Sequence, residues 1–343
     1  MIKKVIQEAF VLKQNGYYKH AIEAFYKALE LDNTSLELLF EIADSYFLMN
    51  DEEHALNYIE QILDKNPTHI ESLKLLKKIF IKKQAWTQAE QTAKNIYCIS
   101  KDIKDLVKIF EFLNKQNRGE EIFEYDIEKY NHNIYYEMAY AKLQIRDFVK
   151  AEEYIDKALE LEVNNKNLLL KGTILFKQNK EDDCYEIIEK FDKENLNATQ
   201  NNFIGLILQY KGEYKKAIKH FSNAIKQAPK VDEYYYNCAS TYFKMDDKAQ
   251  AKNYYNLAIN LAPENQNYHF ALANLYYSEK QYRRAMEELD YDFFEANLLK
   301  SIILYETGYV ALAKKSLEKI SGERPDNLVI QEYMKKIEEA LKI

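Results

Sequence analysis

The sequence is poor in the residues that punctuate chains and build compact sites. Its 343 residues include seven glycines, four prolines, three cysteines and one tryptophan. So few glycines cannot supply phosphate-cradling loops once hairpin turns and helix crossings take their share, and no GxGxxG, phosphate-loop, GxSxG or HExxH pattern is present. Cys98, Cys184 and Cys238 are odd in number and never paired as CxxC, which argues against a disulfide framework or zinc site and fits a reducing compartment. No stretch approaches eighteen uninterrupted apolar residues, so no transmembrane segment is expected. The N-terminal MIKKVIQEAFVLKQNGYY is broken by Gln7, Glu8 and Lys13 before it could serve as an export signal, which places the protein in the cytoplasm. Arginine is scarce too: Arg118, Arg146, Arg283, Arg284 and Arg324 are all there are. With 48 basic against 55 acidic residues and a formal charge of -7, the balance argues against a polyanion partner.

What remains is helical. Alanine, leucine, glutamate and lysine are abundant, with glutamine among them in helical order, and 47% of the residues are apolar. The length exceeds that at which one compact core usually stops growing. A small residue followed four later by a large apolar one recurs at Ala21, Ala55, Ala89, Ala151, Ala217, Ala251, Ala285 and Ala313, with Ala93 the one weak partner. Several of the gaps are 34 residues. Between Ala89 and Ala151 the expected place holds Phe123, and between Ala151 and Ala217 it holds Cys184, giving ten units. A second small column lies twelve residues earlier, at Ala9, Ala43, Ala139, Gly172, Gly205, Ala239, Ala273 and Ser301, and is broken by Lys77 and Glu111. Pro67, Pro229, Pro263 and Pro325 each follow their unit's alanine by twelve, where one helix ends and another begins. Gly16, Gly212 and Gly308 precede theirs by five, where a tight turn wants positive φ.

This pattern resembles the tetratricopeptide repeat family, whose unit is a 34-residue antiparallel helix pair. YYYNCASTYFKMDDKAQAKNYYNLAINLAPEN (Tyr234 to Asn265) and LLFEIADSYFLMNDEEHALNYIEQILDKNPTH (Leu38 to His69) carry the resemblance best. It implies an all-α, right-handed superhelical solenoid, with units near 2–35, 36–69, 70–103, 104–131, 132–164, 165–197, 198–231, 232–265, 266–293 and 294–327. Residues 328–343 read as a C-terminal capping helix, with Ile330, Met334, Ile337 and Leu341 on one face and Gln331, Lys335, Glu338 and Lys342 on the other. Phe123 to Ala151 and Ala285 to Ala313 are each 28 residues apart, so their units should have a shortened second helix or a lost turn.

Catalysis, metals and cofactors are not expected. His20 and His54 share one repeat column, and the other histidines are scattered. Cys184 and Cys238 fall in helix-packing columns, Trp86 in a core column, and Asp182, Asp183, Asp246 and Asp247 at hairpin turns.

The resemblance implies binding along the first helices of the hairpins. Residues three before and one after the small column give the candidate surface: Phe40, Lys74, Lys78, Lys108, Phe112, Tyr136, Tyr140, Asn202, Tyr236, Phe270 and Asn274, with Lys82 extending the stripe begun by Lys74 and Lys78. Aromatic residues dominate, as in interaction surfaces. A protein or peptide partner with acidic and apolar segments is the expectation, and a nucleic acid on the lysine stripe is the alternative. The family's clamp for a terminal carboxylate is not reproduced, because Lys78 stands where its asparagine should be.

Overall fold

The structure is a computed structural model describing residues 2–341, so the outward place assigned to Lys342 lies outside the described residues. Among these residues there is no strand, only twenty α-helices and one 3-10 turn. The chain divides into two compact units, Met1–Gln178 and Asn179–Ile343, and the division falls at neither short repeat. The first unit holds α1 (Ile2–Gln14), α2 (Tyr18–Leu29), α3 (Leu36–Leu48), α4 (Glu52–Lys65), α5 (Ile70–Lys82), α6 (Trp86–Ser100), α7 (Ile103–Lys115), the 3-10 turn Gly119–Glu124, α8 (His132–Gln144), α9 (Phe148–Leu161) and α10 (Asn165–Lys177). The second holds α11 (Glu181–Glu189), α12 (Ala198–Tyr210), α13 (Tyr214–Gln227), α14 (Asp232–Lys244), α15 (Lys248–Leu261), α16 (Gln266–Ser278), α17 (Tyr282–Glu287), α18 (Phe294–Glu306), α19 (Val310–Ser321) and α20 (Leu328–Ala340).

The two alanine columns explain why these helices pair. Ala21, Ala55, Ala89, Ala151, Ala217, Ala251, Ala285 and Ala313 are all fully buried, and four residues on from most of them a large side chain such as Phe25, Ile59, Ile155, Phe221 or Leu317 is sealed as well. A small residue on one helix lets its neighbour approach closely, and the large residue a turn later fills the space beside the crossing. Helix starts are capped by side chains: Ser35, Asp51, Asn131 and Asp147 accept from backbone N–H groups in the first unit, and Asn197, Asp247 and Asn327 do so in the second. Asn197 and Gln200 form a reciprocal capping box. Gly16, Gly212 and Gly308 have φ of 79°, 77° and 88° at the hairpin turns, and most other hairpins reach the same left-handed region with Asn, Asp, Gln, Lys or Arg. All four prolines lie in the turns that follow second helices.

The fourth unit departs from the expected register. Asn117 is its left-handed turn residue, and the residue five later is Ile122, fully buried, rather than Phe123. Likewise Phe110, fully buried, takes the small column's place in α7, and Glu111 does not. The unit is therefore one residue out of phase, and its second helix is reduced to the 3-10 turn followed by an irregular segment to Asn131. The ninth unit is shortened as expected: α17 has 6 residues where α15 has 14. The cap also differs in part. Ile330 and Ile337 are buried against Leu317 and Ile320, and Met334 packs on the same cluster, but Leu341 is 52% exposed because α20 ends at Ala340.

The 3-10 turn is held tightly. A Cβ on Gly119 would meet Asn114 Oδ1 and lie 2.6 Å from Ala141 Cβ and 3.0 Å from its Cα. Because the last of these is backbone on α8, Gly119→Ala is expected to lower stability by roughly 1–3 kcal/mol, the usual range for overpacking. Urea denaturation reads this directly, and an unchanged midpoint would show that the turn yields freely.

Candidate functional site

A helix presents one face at every third or fourth residue, so the surface that begins three before the small column and continues one after it recurs four after it. In the second unit this face opens into a groove of about 930 Å3 between α14 and α16. Tyr236, Phe270 and Asn274, three of the residues named from the sequence, line it, joined by Phe243 and Tyr277 at the third position and by Asn237. The rings are half-buried rather than free. Tyr236 stacks on Tyr268 with centroids 4.9 Å apart, burial pushes its phenol up, and Phe270 meets Phe293 edge-on at 5.5 Å.

Polar groups in this groove are joined in short relays. Tyr268 Oη donates to Asp232 Oδ2 at 2.7 Å, and Asn237 Nδ2 donates to Asn202 Oδ1 at 2.9 Å. Asn202 in turn directs its Nδ2 toward Glu233 Oε1 at 3.5 Å. Asn202 is thus buried, at 6% exposure, and sits behind Asn237 instead of facing a partner. Asn274 donates Nδ2 to the Phe270 carbonyl on its own helix at 2.9 Å.

The first unit has a smaller cleft, of about 560 Å3, among α7, α8 and α10. Tyr136 and Tyr140 share it, with Tyr140 38% exposed and Lys166 Nζ 3.8 Å from the centre of the Tyr136 ring. Behind them lies Glu137, 4% exposed, whose Oε2 accepts from Asn114 Nδ2 at 2.8 Å while Lys166 Nζ stands 3.8 Å from Oε1. Burial is the main cause that pushes the Glu137 carboxyl up to about 7, against the opposing Asn114 hydrogen bond and the Lys166 charge.

Other expected site residues are not brought together. Phe112 is 2% exposed and belongs to the α7 core, since the one-residue shift gives its groove place to Glu111. Phe40 is half-buried against the core that contains Ile79 and near the His69 ring. In the lysine stripe, Lys82 is held by Glu52 and by Asn50 Oδ1, and Lys108 pairs with Glu111 at 2.7 Å, leaving Lys74 and Lys78 exposed. Two of its charges are thereby neutralised, so the stripe gives no support to a nucleic-acid site. Burial raises the Cys184 and Cys238 thiols to about 11 and about 12, as suits packing rather than reactivity. Among the described residues no three His, Cys, Asp or Glu side chains gather as metal ligands would.

Two groove residues escape a reading by repeat position. Asn237 and Glu137 lie two before the small column, a place held by Leu75, Leu170, Phe203 and Leu299 but also by Gln7 and Glu41, so no periodic signal in the sequence marks them.

Tetratricopeptide repeat models match residues 195–264, 6–35 and 132–165. A TPR repeat-containing protein of Methanocaldococcus jannaschii is 27% identical over 214 residues, which are 62% of this chain and 36% of that protein, so only about a third of that relative's length is matched. The fold is similar to the crystal structure of the APC/C hetero-tetramer Cut9-Hcn1, with a TM-score of 0.59 and 11% identity over 98% of this chain and 76% of the other. It is also similar to pilF of Pseudomonas aeruginosa, with a TM-score of 0.51 and 19% identity over 60% and 97%. At such identities the structural likeness concerns the fold alone.

Proposed function

Because the chain is a tetratricopeptide repeat protein, and such repeats as a class mediate protein-protein interaction, we propose that it is a non-catalytic adaptor that seats an extended segment of a partner protein between α14 and α16. The observation that carries this reading is the groove itself: about 930 Å3, bordered by the faces of Tyr236, Phe270 and Tyr277, with the amides of Asn237 and Asn274 beside them. Half-buried rings held by other rings are rigid and lose little entropy when a partner side chain lies on them. Asparagine offers both a donor and an acceptor, which is what an extended backbone presents.

The test separates recognition from folding. Among the described residues Asn274 bonds only within its own helix, so Asn274→Ala exchanges one local hydrogen bond for a better helix former and should leave the melting temperature nearly unchanged. Its loss is expected to weaken a partner recovered from the native cell by roughly tenfold, about 1.4 kcal/mol, as for one lost interface hydrogen bond. Tyr236→Ala should lower both binding and stability, because Tyr236 supports Tyr268 and Tyr255. Undiminished affinity in Asn274→Ala and Tyr236→Ala alike would place the partner elsewhere.

A further inference from the structure

The α14–α16 groove presents open acceptors, two of them charged, beside the amides of Asn265 and Asn267. Its lining holds Asp232 and Glu233 and no lysine, arginine or histidine, in a protein with 48 basic residues. Neither carboxylate enters an ion pair among the described residues, whereas Glu41, Glu52, Glu90 and Glu111 of the first unit all do. Part of their role is local, since both stand in the first turn of α14, where negative charge is favoured by the helix dipole. That does not account for the third acceptor. Asn237 is 93% buried and directs its Nδ2 to Asn202, and among the described residues nothing donates to its Oδ1, although the side chain lines the groove. The Tyr268 hydroxyl is already engaged with Asp232, so the phenol nearest the carboxylates is not free to donate. Tyr268 stacks on Tyr236, which places a carboxylate, a ring and a second ring in sequence along the groove.

Acceptors and ring faces with no resident cation match a donor-rich, positively charged side chain whose alkyl stem lies on the aromatic rings. We propose that the groove between α14 and α16 takes a basic segment of a partner protein, with a lysine or arginine head on Asp232, Glu233 and Asn237 Oδ1 and its stem against Tyr236. This rests on the groove being the binding site, and it reverses the acidic partner expected from the lysine stripe, which lies in the other unit and is partly neutralised.

The probe is a fluorescein-labelled twelve-residue peptide of alternating lysine and leucine, with glutamate-leucine and glutamine-leucine peptides of equal length for comparison, titrated against the full chain by fluorescence anisotropy. The lysine peptide is expected to bind most tightly. Asp232→Asn combined with Glu233→Gln should weaken it roughly tenfold at low salt, and less at physiological salt, where exposed charges are screened beyond roughly 8 Å. Glu194→Gln combined with Glu323→Gln removes the same charge from exposed sites of the same unit and should leave affinity unchanged. Glu233→Gln alone, at an exposed position, guards against misfolding of the double variant and should show part of the loss. Equal affinity for the two double variants overturns the proposal, since attraction would then follow net charge alone. Tight binding of the glutamate or glutamine peptide that Tyr236→Ala abolishes also overturns it, yet leaves the groove as the site. If no peptide shows binding that Tyr236→Ala weakens, both readings fail.

Discussion

Truncating Phe221 to alanine lowers the stability of the second unit by roughly 3–5 kcal/mol, the range for removing a fully enclosed phenylalanine. Phe221, on α13, has no exposed surface, and its ring lies directly over Gly205 of α12: a Cβ built there would stand 2.6 Å from Cε1, 2.8 Å from Cδ1 and 2.9 Å from Cζ. The two positions are thus one packing unit, and this yields a sign reversal. In the wild-type background, Gly205→Ala drives a methyl group into the ring and should destabilise by roughly 1–3 kcal/mol despite alanine's better helix propensity. In the Phe221→Ala background the ring is gone, so the same methyl group enters vacated space. Gly205→Ala should then stabilise, by about 1 kcal/mol from propensity plus a share of the lost cavity contact. A four-member denaturation cycle measures the coupling. If Gly205→Ala has the same sign in both backgrounds, the ring does not set the glycine.

That contact also explains what could be read from the sequence. Small residues at helix crossings are imposed by backbone distance, so Ala21, Ala217 and their counterparts repeat with the period of the hairpin and reveal the fold without a structure. The period slips where the connection between hairpins tightens. Only Lys101 and Asp102 separate α6 from α7, where four residues separate α4 from α5, so counting in 34-residue steps puts Glu111 and Phe123 where Phe110 and Ile122 stand. The candidate surface was legible where a side chain lay on the repeating face of an unshifted unit, as with Tyr136, Tyr140, Tyr236, Phe270 and Asn274. Asn237 and Glu137 depend on partners 35 and 23 residues away, Asn202 and Asn114, and no local periodicity encodes such a pairing.

Glu137 should make the first unit lose stability as the pH rises from about 5 to 8. Its ordinary value is 4.5 and burial lifts it to about 7 in the fold, so the folded chain holds a proton that the unfolded chain has released between those values. Below 4.5 both states are protonated and the carboxyl has no effect. Above 7 both are ionised, and the buried charge is opposed in full. At about 1.4 kcal/mol per pH unit the difference is roughly 3 kcal/mol. Lys166 at 3.8 Å, about half exposed, and the Asn114 amide moderate the loss without removing it, and Glu111 on the facing helix adds repulsion. Glu137→Gln keeps the shape and can still accept from Asn114, but it cannot ionise. The variant should therefore show a flatter stability profile across this window, gaining on the wild type at pH 8 and not at pH 4.5. Working above pH 5 keeps out carboxylates such as Glu90 and Glu52, which ion pairs hold below their ordinary range and which act in the opposite sense in more acid solution. Parallel profiles for wild type and variant from pH 5 to 8, read by urea denaturation, would show that water reaches Glu137 and that the cleft beside Tyr136 and Tyr140 is wetter than its geometry implies.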